Sequence, residues 1–389
     1  MGTAVVVDVV RTALGRRNGK LAGWHPVDLA AALLDALVER NGIDPALVDD
    51  VILGCVSQTG EQGLNVARNA ALAAGFPDSV PGTTVDRQCG SGQQAVHFAA
   101  QGVAAGAYDL VVAGGVESMS RVPLGTTMVK GPGVPFGPRM VQRYQPAGGL
   151  VPQGVAAEAL AERYGLSRPE LDAYSRRSHV RAAAATAAGS FDGEIVPVTV
   201  DHRRAKRQFT VDESIRAGTT LEELAALKPT FRAGGCITAG NSAPASDGAA
   251  AVLVASEEAA ARLGLVPRAR FVAFSVVGVD PVTMLTGAAA ATTAVLERAG
   301  LELDRIDRAE VHEAFAAVAL AWAAEHPLDP DRVNADGGAI ALGHPLGCSG
   351  ARMLATLVGG LERNGGRYGL QAMAEGGGTA NALVVERLG

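Results

Sequence analysis

The sequence predicts an α/β protein with a parallel or mixed sheet covered by helices on both faces, built as two similar halves. Three observations carry that expectation. Short apolar, β-prone runs alternate with helical segments, the pattern of strands joined by crossover helices. Only 4% of the 389 residues are aromatic, so packing relies on Ala, Val, Leu and Gly, which favours closely apposed layers. The chain also carries a weak internal repeat. In the first half a helix leads through Gly42-Ile-Asp-Pro-Ala-Leu-Val-Asp-Asp50 into a strand. In the second, residues 293–300 lead through Leu301-Glu-Leu-Asp-Arg-Ile-Asp-Arg-Ala309 into Glu310-Val-His312. Ser91-Gly92 opens a helix in one half and Ser349-Gly350 in the other. Two such halves bring these helices together at the centre and place a site between them.

The elements follow in order. Residues 5–10 read as a buried strand, 26–40 as an amphipathic helix with Asp28 near its start, and 50–55 as a second strand. A helix over 65–74 is stopped by Gly75 and Pro77. The run 80–85 reads as a strand ending in the turn Asp86-Arg-Gln-Cys89-Gly-Ser-Gly92, before a small-residue helix over 93–106. Residues 110–113 form a short strand running into Gly114-Gly-Val-Glu117-Ser-Met-Ser120. From 121 to about 246 prolines and glycines break the periodicity, and helices return over 156–164 and, behind the N-cap Ser167, over 168–188. This reads as a loop domain, 121–246, inserted in a first half, 1–264, followed by a second half, 265–389. The basic run His202-Arg-Arg-Ala-Lys-Arg207 reads as a solvated surface or as a contact for a phosphate-bearing substrate tail.

Composition excludes several classes. A chain 48% hydrophobic and 19% charged is a globular chain with ample core. A net charge of −6 argues against nucleic acid or an anionic membrane as partner. No apolar run reaches membrane-spanning length, and the N-terminus enters a strand directly without a signal peptide. Cys55, Cys89, Cys236 and Cys348 lack CxxC spacing and are too sparse for a disulfide framework, so reduced thiols in a cytoplasm are expected. No Cys/His cluster points to a metal, and His312-Glu313 lacks the second His of a metalloprotease helix.

Four loops carry candidate chemistry. Cys89 sits at a strand-to-helix elbow where backbone N–H groups and the positive helix end converge, which favours a thiolate and lowers its pKa. Gly90 and Gly92 allow the sharp turn and the close approach of an acyl group. The competing reading is a buried structural cysteine. His344 lies between Gly343 and Pro345 in a rigid turn before a helix. Fixed beside a reactive cysteine, such a His takes its proton; otherwise it is structural or solvated. His312 is placed to donate to a developing oxyanion, against a purely structural role. The run Gly376-Gly-Gly378 ends a strand and offers free N–H groups, with Gly376 suited to an oxyanion hole; a simple tight turn is the alternative.

Taken together these loops resemble the thiolase family, the acetyl-CoA acetyltransferases and 3-ketoacyl-CoA thiolases. The matches are Cys89-Gly-Ser-Gly, His312-Glu-Ala-Phe, Gly343-His-Pro and the run from Gly376 to Gly378, in the family's order. Supporting matches are Ala113-Gly-Gly-Val-Glu-Ser-Met-Ser120, Thr238-Ala-Gly-Asn241, Ser246-Asp-Gly-Ala249 and Asp280-Pro-Val-Thr-Met284. The resemblance implies a thiolase-like five-layered αβαβα fold. It also implies an acyltransferase in which Cys89, activated by His344, attacks an acyl-CoA thioester and becomes acylated. The N–H groups of Cys89 and Gly376 would hold that oxyanion. The His312 and His344 side chains would hold the enolate or thioester oxygen in the second half-reaction. Phe231, Met284 and Ala314 would lie near the acyl or pantetheine chain, as would Ala243, where the family pattern has a serine. Acyl-CoA, 3-ketoacyl-CoA and CoA are the implied partners, with no cofactor beyond CoA as substrate, in a homodimer or homotetramer.

One departure bears on mechanism. Ala374 stands where the family has a second cysteine, the acid/base acting on the α-carbon, and Ala cannot move a proton. Three explanations stay open: a substitution introduced to trap a complex, compensation by Cys348, or a change of reaction. In the last, Cys89, His312 and His344 match the Cys-His-His set of decarboxylating ketoacyl synthases, which use a malonyl-type donor and need no such base. A further alternative is a CoA-ester-binding scaffold without turnover.

Overall fold

The structure, a computed structural model, describes residues 2–129, 133–202 and 205–389. Strands of the first half are β1 (Ala4–Arg11), β2 (Gly15–Arg16), β3 (Asp50–Gly54), β4 (Gly82–Val85) and β5 (Leu110–Ser118). A separate hairpin, β6 (Val198–His202) and β7 (Ala205–Phe209), precedes β8 (Ser246–Ser256). The second half adds β9 (Ala269–Gly278), β10 (Arg308–Val311), β11 (Tyr368–Glu375) and β12 (Thr379–Arg387). Together they follow the path β10-β11-β12-β9-β1-β8-β5-β3-β4, with β2 beside β8. The sheet is mixed: β3 runs parallel to β4 and β5, and β10 to β11, while β8, β9 and β12 pair antiparallel. The halves are joined between strands by a narrow seam, Val5↔Arg270 and Val6↔Ala269.

Helices α1 (Pro26–Asn41) and α2 (Val66–Ala73) lie on the outer face of the first half, and α3 (Ser91–Ala104) on its inner face. Between residues 121 and 246 come α4 (Thr126–Val129), α5 (Pro138–Tyr144), α6 (Gln153–Arg163), α7 (Arg168–Ala187) and α8 (Leu221–Ala225). After α9 (Glu257–Leu263), α10 (Gly287–Ala299) and α11 (Ala316–Glu325) cover the outer face of the second half. The short α12 (Ala339–Leu342) leads to α13 (Leu346–Asn364), the inner partner of α3. Three apolar cores define five layers. Leu29 and Leu33 of α1 pack on Val51 and Leu53, and Val295 of α10 packs with Leu370 and Val384. Between them Ala95 and Ala99 of α3 meet Leu354 and Leu357 of α13, with Val252 and Leu383 from the two half-sheets. Ile52 faces this central core while Val51 and Leu53 face outward, which is why the strand sequence is a continuous apolar run.

The repeat is visible as geometry. Both α1 and α10 end on left-handed glycines, Gly42 (φ 60°) and Gly300 (φ 63°), each followed by one 3-10 turn and a strand. Ser167 caps α7 in a capping box with Glu170. One expectation is corrected: the strand starting at Leu110 does not stop at Ala113. It pairs with β8 through Ser118, and Gly114-Gly115 stays in the strand because other backbone packs against it. A Cβ on Gly115 would overlap the Gly347 carbonyl, and one on Gly92 would lie 2.5 Å from the same oxygen. A Cβ on Gly350 would overlap the backbone nitrogen of Gln93. The centre of the basic run, Arg203 and Arg204, lies outside the described residues, and Lys206 and Arg207 are exposed on β7.

Gly350→Ala is expected to lower stability by about 2–3 kcal/mol, because backbone must move to admit the methyl group. Gly23→Ala, with open space around it, is expected to stay within about 0.5 kcal/mol. Urea midpoints of the two variants check this.

Candidate active site

The nucleophile elbow is built by a single strained residue and a hydroxyl. β4 ends at Val85, and Gln88 takes a left-handed φ of 47° just before Cys89. Ser91 Oγ accepts the Arg87 N–H at 2.8 Å and donates to the Gln88 carbonyl at 2.6 Å, fixing the turn. Gly90 admits the Glu375 carboxyl, which a Cβ there would overlap. Cys89 is buried beside Met119, Leu346, Met353 and Met373. Among the described residues Gln153 Nε2, at 3.9 Å, is the hydrogen-bond donor to its sulfur, and the backbone N–H groups of Gly376 and of Cys89 itself also favour the thiolate.

The expectation of a lowered thiol pKa is corrected. Burial pushes the Cys89 thiol up to about 11, the Gln153 hydrogen bond opposes that rise, and Glu375 adds to it. Desolvation of the thiolate outweighs the donors because the sulfur is enclosed by methionines and leucine. At neutral pH the residue is a thiol, so any nucleophilic role needs a base.

The second half supplies two imidazoles. Gly343 (φ 116°) brings the chain against Ser246, and the His344 N–H donates to the Pro244 carbonyl and to Ser246 Oγ, both at 3.1 Å. His312 follows β10, its N–H bonded to the Ala372 carbonyl at 2.9 Å. The next residue, Glu313, receives Tyr174 and Ser178 of α7, the Asn334 amide and the Ile340 N–H within 2.7–3.1 Å, which ties the two His loops together. His312 Nε2 lies 3.2 Å from His344 Nδ1, and that Nδ1 lies 2.6 Å from Ser349 Oγ. Ser349 donates its own proton to the Pro345 carbonyl at 2.9 Å, so its oxygen accepts from His344 Nδ1–H. With Ser349 donating to Pro345, the network assigns the His344 proton to Nδ1 and a lone pair to Nε2. His312 Nε2, facing the same N–H, is an acceptor, which leaves its proton on Nδ1. Neither His344 Nε2 nor His312 Nδ1 has a partner among the described residues. Burial lowers the pKa of both rings, with the Arg352 charge adding to it: His344 falls to about 3 and His312, also facing His344, well below the usual value. Both are neutral at pH 7, one offering a basic lone pair and the other an unpaired N–H.

The other expected positions fall in one patch. Met284 (φ 27°), Ala314 and Ala374 belong to the same buried cluster, the Ala243 N–H donates to the Ala314 carbonyl at 3.0 Å, and Phe231 meets Phe315 edge-on at 5.9 Å. His344 and Cys89 make no hydrogen bond to each other among the described residues; Gln153 holds the sulfur instead. Cys348 is a core side chain of α13 whose thiol burial pushes up to about 12.

The N-terminal domain model of the thiolase family matches residues 4–258, and its C-terminal domain model matches residues 265–387. The chain belongs to the thiolase family. It is an acyltransferase. A steroid 3-ketoacyl-CoA thiolase of Mycobacterium tuberculosis is 49% identical over all of this chain and 95% of its own. A beta-ketoadipyl-CoA thiolase of Escherichia coli is 45% identical over the full length of both. The crystal structure of the Bacillus anthracis acetyl-CoA acetyltransferase superposes with a TM-score of 0.91 at 42% identity, covering 100% of this chain and 99% of that one. The thiolase-like five-layered αβαβα fold is thus established.

Four residues of this thiolase escaped the sequence. Gln153 stands in the irregular segment, far from any motif. Ser349 was read only as a helix opener, yet it sets the His344 tautomer. Glu117 is wholly buried and accepts N–H groups of Val56, Ser57 and Gly347 and the Gln62 amide at 2.8–3.0 Å, joining β5, the loop after β3 and the start of α13. Glu375 adjoins Gly90 with one carboxyl oxygen unpartnered, and burial pushes its carboxyl up to about 8.

The histidine shifts predict a pH signature. An unfolded imidazole takes a proton near pH 6.5, whereas folded His344 refuses it until about pH 3, so its contribution to stability is lost as pH falls between those values. Buried carboxyls with raised pKa act oppositely, so the difference between parent and His344→Gln is the readout. The variant is expected to flatten the fall in unfolding free energy by about 1.4 kcal/mol per pH unit between about pH 6 and 4. Identical slopes in urea titrations would mean that folded His344 is protonated there.

Proposed function

We propose that this thiolase moves an acyl group between CoA and a 3-ketoacyl-CoA through an acyl-Cys89 intermediate. The observation that carries the reading is a buried Cys89 thiol whose thiolate the Gly376 and Cys89 N–H groups favour, in a chain that also holds a neutral His344 with an unpartnered basic nitrogen. The Cys89 proton passes to His344 Nε2, and the sulfur bonds to the thioester carbon. The Cys89 and Gly376 N–H groups hold the negative oxygen. The C–S bond to CoA breaks, and the leaving thiolate takes the proton from His344. In the second half-reaction His312 Nδ1–H is the donor for the incoming thioester oxygen. Phe231, Ala243, Met284 and Ala314 are assigned to the acyl or pantetheine chain. The names of the relatives, which include 3-ketoacyl-CoA thiolases, support the substrate class.

The α-carbon acid/base position is vacated in this reading, because Ala374 is buried among apolar side chains. A second reading is favoured by the contact between two neutral imidazoles: a decarboxylative condensation with a malonyl-type donor, in which loss of CO2 supplies the carbanion. A reducing, cytoplasmic setting is supported by four free cysteines. Self-association as a homodimer or homotetramer is supported by exposed apolar side chains such as Leu124, Val134 and Val141.

Ala374→Cys is expected to raise thiolysis of acetoacetyl-CoA by about 10²–10⁴-fold, the usual worth of a proton-transfer group. The parent is expected to accumulate an acyl adduct, lost in Cys89→Ala, in intact-mass spectra. Equal rates in parent and Ala374→Cys, with carbon–carbon bond formation from malonyl-CoA, would replace the thiolytic reading by the decarboxylative one. No adduct from any acyl-CoA would leave a binding scaffold.

A further inference from the structure

The side-chain donor that reaches the cysteine sulfur comes from the segment inserted in the first half. Gln153 is the first residue of α6, behind the N-cap Pro152, in the segment between residues 121 and 246. Its Nε2 lies 3.9 Å from Cys89 Sγ, a long N–H···S contact of the kind that tightens when the acceptor is charged. The same nitrogen lies 3.1 Å from where a Cβ on Gly376 would stand, so it borders the Gly376 backbone. Its position is fixed from behind. Gly154 has no side chain, and a Cβ there would overlap the Phe231 ring, which instead lies against the start of α6 and meets Phe315. The other side chains around the sulfur are methionines and leucine, which donate no hydrogen bond to it.

We propose that Gln153 is a catalytic residue of this enzyme, its carboxamide N–H donating to the Cys89 sulfur and stabilising the thiolate that attacks the thioester. The sulfur is too enclosed for water to solvate the charge, so fixed donors must do it. Glu375, whose carboxyl burial pushes up to about 8, opposes the thiolate as it ionises, and Gln153 offers a donor against that repulsion. The inserted segment thereby contributes directly to the reacting atom as well as to the substrate wall.

The inference rests on the acyl-Cys89 reading for its catalytic meaning, so the test uses no CoA ester. Alkylation of Cys89 by iodoacetamide is followed by intact mass from about pH 7 to 10 in the parent, Gln153→Met and Gln153→Glu. Met keeps the length and removes the donor; Glu keeps the shape and adds a repelling charge. The expected order of rates is Gln, then Met, then Glu, with Met about three- to tenfold slower than the parent at about pH 8, the size of a modest hydrogen bond to an ion. A Met variant within twofold of the parent or faster, or a Glu variant as fast as Met, overturns the proposal, since altered access alone does not rank the variants by charge. Parent acylation by acetyl-CoA, run separately, reports on the acyl-enzyme reading. Failure of acylation with the alkylation order intact sinks that reading and not the donor.

Discussion

The architecture depends on backbone approaching backbone at the molecular centre. Helices α3 and α13 meet where neither has a side chain: Gly92 and Gly350 on the helices, with Gly347 wedged against the carbonyl of Gly54 at 2.5 Å from a would-be Cβ and against Gly115. Interiors are packed close to crystal density, so a methyl group at such a point has no room and must displace main chain. The seam sets the distance between the two halves. It therefore sets the distance between the Cys89 elbow, which opens α3, and the His344 turn, which opens α13. Glu117 works on the same joint, drawing the α13 start to β5 and the loop after β3 through four hydrogen bonds.

Enclosure by that joint governs the electrostatics. The same burial that holds the two imidazoles neutral keeps the thiol protonated, and both shifts oppose moving the Cys89 proton to His344 in the free protein. A neutral imidazole with a free lone pair is the partner a thiol requires, and an unpaired imidazole N–H suits an oxygen that gains charge only in the transition state. Ser349 turns this into a defined tautomer by accepting from His344 Nδ1. The unsatisfied atoms His312 Nδ1 and His344 Nε2 are costly to bury without partners. Glu375, half satisfied by Thr379, is a further polar group retained near the nucleophile.

The sequence by itself determined the elements and the loops that matter. Continuous valine-rich runs announced strands buried on both faces, the stretches Gly42 to Asp50 and Leu301 to Ala309 marked the repeat, and the four motif loops named Cys89, His312, His344 and Gly376. These signals are local, because strand period, capping and turn chemistry act over a few residues. Gly114-Gly115 was misjudged for the same reason: a glycine pair looks like a turn until one sees that Gly347 from another helix occupies the vacant side-chain space. The cysteine pKa depended on the wall of Met119, Leu346, Met353 and Met373, four residues from three distant stretches, and no local rule reports that wall. Only the tertiary structure decided which His nitrogen carries a proton, that Glu375 stands behind Gly90, and that Gln153 reaches the sulfur across 64 positions of chain. Desolvation and long-range hydrogen bonds are properties of the packed whole, so they appear only when the halves close on one another.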